Sequence, residues 1–72
     1  MKPIITVDEA KASIKSFAGA AEDFSLPISN EMQDPLGVNM AIIIDCALAK
    51  GWEPNGFEQR EGFKVYRYKV LE

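Results

Sequence analysis

The side chains with the most varied chemistry lie near the C-terminal end of the chain: Arg60, Lys64, Tyr66, Arg67, Tyr68 and Lys69. Aromatic rings interleaved with cations can stack on bases and neutralise phosphates, as single-stranded nucleic-acid surfaces do. The same residues also describe an ordinary amphipathic strand, because tyrosine suits a pleated sheet and lysine blunts an exposed edge. Nucleic-acid binding through this stretch is therefore the alternative reading, and a structural strand is the first.

Catalytic options narrow quickly. The chain has no histidine, which removes the usual general base and the commonest imidazole metal ligand. Cys46 is its single cysteine, so neither a disulfide nor a thiolate zinc site can form within one copy. It lies among apolar neighbours with no imidazole to activate it, and it reads as an inert thiol. The glycines, Gly19, Gly37, Gly51, Gly56 and Gly62, are scattered singly and make no phosphate loop. The close carboxylate pairs, Asp8-Glu9 and Glu22-Asp23, are adjacent residues that point apart on a helix. Asn30, Glu31 and Asp34 lack the spacing and glycine of a calcium loop. The expectation is a protein that is not an enzyme and carries no cofactor and no metal.

Charge points toward a protein partner. The net charge of −3 gives no general attraction to nucleic acid or to an anionic membrane. Its distribution is lopsided. From Ser16 to Ala49 there is no Lys or Arg, while Glu22, Asp23, Glu31, Asp34 and Asp45 are acidic; from Phe63 to Val70 there are Lys64, Arg67 and Lys69 and no acid. Such a pattern can steer the chain toward a partner of opposite pattern, another copy of itself included. The N-terminal MKPIITVDEA has no signal-peptide apolar region, and no stretch reaches the ~18–20 apolar residues that span a bilayer. With a single cysteine, this leads us to expect a cytoplasmic protein with no membrane contact.

The elements that must position these residues follow from caps and periodicity. Asp34 to Gly51 is the most apolar stretch. Asp34 suits an N-cap, Pro35 the first helical position, Lys50 the negative end of the dipole, and Gly51 a left-handed stop, so a helix is expected over residues 35–50. At about 100° per residue, Leu36, Met40, Ile43, Ile44, Ala47 and Leu48 share one face. The other face collects Val38, Ala41, Ile42, Asp45, Cys46 and Ala49, and it too is mostly apolar. A surface helix has one apolar stripe. The second one here makes Val38, Ile42, Cys46 and Ala49 the candidate partner-binding residues. The lone Asp45 in their midst marks a boundary with water, since a buried carboxylate needs a partner. A chain of 72 residues buries only about 60% of its unfolded surface, and such small domains often gain stability from association.

In chain order, residues 1–5 are a lead segment. Thr6 with Glu9 forms a capping-box pattern, and Val7, Ala10, Ile14, Phe17, Ala18 and Ala21 recur at helical spacing, which predicts a helix over 6–22. Residues 23–33 read as a loop, because Pro27 removes a ladder donor from what would otherwise be a short strand at Phe24, Leu26 and Ile28. The corner ALAKGWE, Ala47–Glu53, resembles a helix-to-strand joint of several small domains of unknown function. The resemblance covers seven residues and implies a structural corner, not an activity. A hairpin is expected over 56–70. A three-residue loop with Gly62 in the left-handed slot pairs Gln59 with Phe63, Glu58 with Lys64 and Phe57 with Val65; a two-residue turn instead sets Phe57 across from Tyr66 and Glu58 across from Val65. The first register separates polar from apolar faces better. A helix before a basic hairpin also resembles a winged helix-turn-helix, but that fold needs a cationic recognition helix, and this helix is apolar with only Lys50 at its end.

The expected fold is therefore a single small α+β domain, two helices packed on a C-terminal antiparallel β-hairpin in the order α-α-β-β. The expected function is a non-enzymatic interaction or regulatory protein, self-associating through the central helix or a sheet edge.

Overall fold

The computed structural model describes residues 2–33 and 37–72. Helix α1 runs from Val7 to Ser16. Thr6 caps it as expected: its hydroxyl oxygen accepts from the Glu9 N–H at 3.2 Å, with Asp8 and Glu9 in the first turn. The helix ends well short of residue 22. Phe17 is already extended, and its ring turns inward to meet Phe24 at 5.0 Å and Trp52 at 6.0 Å between centroids. Gly19 makes this possible, because a Cβ there would lie 2.9 Å from the Phe17 ring. The helical stripe holds through Ala10 and Ile14, both fully buried. Beyond it Ala18 is exposed, and Ala21 is buried in a separate 3-10 turn, Ala21–Asp23.

Strand β1 spans Ser25–Ser29, within the segment expected as a loop. Pro27 does lack a donor, yet the sheet loses nothing by it. The Ile4 N–H donates to the Pro27 carbonyl at 2.8 Å, and the Ser29 N–H donates to the Ile4 carbonyl at 3.0 Å. A residue's N–H and C=O point to the same side of a strand. The missing donor of Pro27 therefore falls on the outer edge, away from the neighbouring strand. Leu26 and Ile28 are fully buried. Ser29 then caps a 3-10 turn, Asn30–Met32, its hydroxyl accepting from the Met32 N–H at 3.2 Å.

Helix α2 spans Val38–Ala49, with Gly37 at its N-cap, so it starts later than the expected residue 35. Asp34 and Pro35, expected as cap and first helical residue, lie outside the described residues. The helix stops as anticipated at Gly51, left-handed at φ 87°, whose N–H donates to the Leu48 carbonyl at 2.9 Å.

Strands β2, Trp52–Arg60, and β3, Phe63–Val70, form the hairpin, which begins four residues earlier than expected. Its register is the two-residue-turn alternative: Arg60 faces Phe63, Glu58 faces Val65 and Phe57 faces Tyr66. The favoured pairing of Glu58 with Lys64 is not formed. Two features outside a hairpin's own pattern decide this. A bulge between Pro54 and Phe57 inserts one extra residue into β2, so Trp52 and Phe57, an odd number apart, come to the same face. And β3 has a second neighbour. The sheet order is β1-β3-β2, all antiparallel, with Leu26 opposite Tyr66 and Ile28 opposite Lys64.

The architecture is thus α+β, as expected, with three strands instead of two and the order α-β-α-β-β. One core fills the space between the helices and one face of the sheet, joining Ile14, Leu26, Ile28, Ile43, Ala47, Trp52 and Tyr68. Fully burying side chains of this size contributes about 1.5–3 kcal/mol each. The other face of the sheet carries charged side chains around Val65, which is buried apart from this core. There Glu58 accepts from Arg60 at 2.5 Å and Arg67 at 3.3 Å, and Lys69 meets Glu53 at 3.3 Å.

Candidate functional site

The two helices lie side by side and run in the same direction. The Cys46 thiol is 3.9 Å from the Lys11 carbonyl, and one turn further along both helices Lys50 reaches the end of α1. The Lys50 ammonium donates to the carbonyls of Ile14 and, at 2.5 Å, Phe17, and lies 3.5 Å from that of Lys15. It also sits 4.5 Å over the Trp52 ring. The Ile14 and Lys15 carbonyls are orphans of the last turn of α1, and Phe17 is the extended residue that caps it. The cation assigned from the sequence to the end of its own helix thus serves the end of the other one.

Between the helices is an open groove of about 560 Å³. Helix α1 lines it with Lys11 and Lys15, and α2 lines it with Ile42, Asp45, Cys46, Ala49 and Lys50. Lys11, Lys15 and Asp45 form no ion pair among the described residues. Three of the four residues singled out for partner binding, Ile42, Cys46 and Ala49, are thereby brought together. The fourth, Val38, lies one turn before Ile42 and is 53% exposed, outside the groove lining.

The groove continues onto the outer side of α2. Ile42 and Leu48 are 39% and 40% exposed, Ala41, Asp45 and Ala49 are exposed as well, and Asp45 is the one charged residue of the helix. A solvent-facing side of this composition is unlike that of an ordinary surface helix. Sequence periodicity groups Val38, Ala41, Ile42, Asp45 and Ala49 on this side, but it puts the exposed Leu48 on the opposite one, and it does not reveal Lys11 and Lys15. Their i, i+4 spacing shows that they share a side of α1, but nothing in it shows that this side borders α2.

The cationic aromatic set divides between the two faces of the sheet. Lys64, Tyr66 and Tyr68 point to the helix side, and Arg60, Arg67 and Lys69 to the polar side. Tyr68 is a core residue, only 2% exposed. Burial pushes its hydroxyl up to about 12, with smaller contributions from Tyr66 and Cys46. The Tyr66 hydroxyl, also raised by burial, donates to the Gln33 side-chain oxygen at 2.9 Å. Lys64 rests 4.8 Å over the Phe57 ring. Arg60 and Arg67 share Glu58, Arg67 also donates to the Ser25 hydroxyl at 2.8 Å, and Lys69 pairs with Glu53. These residues do not form one continuous stacking platform.

Among the described residues, no cluster of three Cys, Asp or Glu side chains could hold a metal ion, and no helix is long and apolar enough to cross a membrane. No protein-family model, curated protein or solved structure matches this chain.

Proposed function

We propose that this chain is a non-enzymatic interaction module that self-associates through the outer side of α2. The observation that carries the reading is the apolar, singly charged face formed by Ile42, Leu48, Ala41 and Ala49 around Asp45. Apolar surface of this kind on a small domain marks an interaction site. The sheet edges are poorer candidates. The outer edge of β1 is occupied by Ile4, and β2 carries Pro54 and a bulge, two devices that discourage strand addition. The same reading puts the protein in the cytoplasm, where its single thiol stays reduced.

The test is sedimentation equilibrium from micromolar to near-millimolar concentration, on wild type and Ile42→Lys. Wild type is expected to associate and the variant to remain monomeric and folded, since Ile42 is partly exposed in the single copy. A wild type that is monomeric throughout, or a variant that unfolds instead of dissociating, overturns the reading.

A further inference from the structure

The groove has a polarity that the helix face alone lacks. Helix α1 contributes Lys11 and Lys15 to it, and α2 contributes Asp45 beside the apolar Ile42, Cys46 and Ala49, while the Lys50 ammonium is turned to the carbonyls at the end of α1. The groove separates these charges, which form no ion pair with each other within one copy. A surface with an acidic side and a basic side is self-complementary under one symmetry operation and self-repelling under another. If a second copy is turned about a two-fold axis parallel to the groove, its acidic side comes over the first copy's basic side, and the reverse holds across the axis. If the axis crosses the groove, acid meets acid and base meets base. A two-fold interface uses the same patch on both copies, so each favourable contact occurs twice.

We propose, resting on the self-association reading above, that two copies pair about a two-fold axis running along the α1–α2 groove. Asp45 of each copy then lies against Lys11 and Lys15 of the other. The α2 helices run parallel, with Ile42, Cys46 and Ala49 of both copies nearest the axis. The levels match, because α1 and α2 run in the same direction and Lys11 stands beside Cys46, one residue from Asp45. Charge chooses between the two arrangements, since like charges in register disfavour the wrong one.

The experiment is a charge-swap cycle read by sedimentation equilibrium at low ionic strength. Asp45→Lys and the double variant Lys11→Glu, Lys15→Glu should each weaken association roughly tenfold, as expected for several exposed pairs lost together, and the triple variant should recover most of it. All of these positions line the groove, and thermal melts confirm that each variant folds. Asp45→Asn separates the two axes: it weakens pairing if acid faces base and tightens it if acid faces acid. If Ile42→Lys dissociates the protein but the triple variant stays as weak as its parents, self-association stands and the axis along the groove is wrong. If wild type does not associate at all, both readings fall.

Discussion

Replacing Lys50 by Met tests whether one side chain fastens the two helices together. The substitution keeps the aliphatic stem and removes the ammonium. In the wild type that ammonium donates to the Ile14 and Phe17 carbonyls, lies near that of Lys15, and covers the Trp52 ring. A hydrogen bond to a charged group contributes about 1.5–3 kcal/mol. A cation over an aromatic ring at a partly exposed site adds about 0.5–1 kcal/mol. Ordering a lysine side chain costs up to about 2 kcal/mol, which offsets part of both. The net loss expected for Lys50→Met is about 2 kcal/mol. For a domain of 72 residues that lowers the melting temperature by about 8–16 °C. The assay is thermal unfolding followed by far-ultraviolet circular dichroism, with the near-ultraviolet signal reporting on Trp52. Lys15→Met is the control. It removes the cation that α1 itself supplies to its last turn, an exposed contribution of only about 0.3–1 kcal/mol. A Lys50→Met protein that melts with the wild type, or no earlier than Lys15→Met, would refute the reasoning.

Two further outcomes follow from the core. Gly19→Ala should destabilise by about 1–3 kcal/mol and change the near-ultraviolet spectrum, because the new Cβ displaces the Phe17 ring from Phe24 and Trp52; an unchanged spectrum would remove that explanation. Tyr68 predicts alkaline sensitivity. Its hydroxyl titrates near 10 when unfolded and is pushed up to about 12 when folded, so above pH 10 the unfolded chain holds fewer protons and stability falls until the folded group ionises too. The loss is about 2–3 kcal/mol across that interval, read from urea midpoints, and Tyr68→Phe should be clearly less sensitive over the same range.

The parts of the structure that were legible in the sequence are those set by near neighbours. Thr6 and Glu9 announce the start of α1, Gly51 ends α2, and the period of Ile42, Cys46 and Ala49 places them on one face. What escaped depends on residues far apart in the chain. Pro27 argues against a strand only if its missing donor points into the sheet, and the contact with Ile4 that puts it on the outside involves a residue more than twenty positions away. The two strands of the hairpin alone favour the other register, yet β1 and the bulge beside Gly56 set which side faces the core. Lys50 looked like a cap for its own helix, while its partners lie on α1. The basic side of the groove was invisible for the same reason: periodicity assigns residues to faces but does not say which faces meet.

The order of the strands bears on how the chain folds. β3 lies in the middle, and its two partners reach it by very different routes. β2 is joined to it by a two-residue turn, so that pairing closes a minimal loop. β1 comes from far upstream, with Ser25 and Arg67 separated by 42 residues. Closing a long loop carries an entropic cost that must be met before its contacts exist, and such closures slow folding. The hairpin can therefore assemble first as a template with one edge open. Docking of β1, with Ile4 held against its outer side, is expected to follow more slowly, burying Leu26 and Ile28 and completing the core.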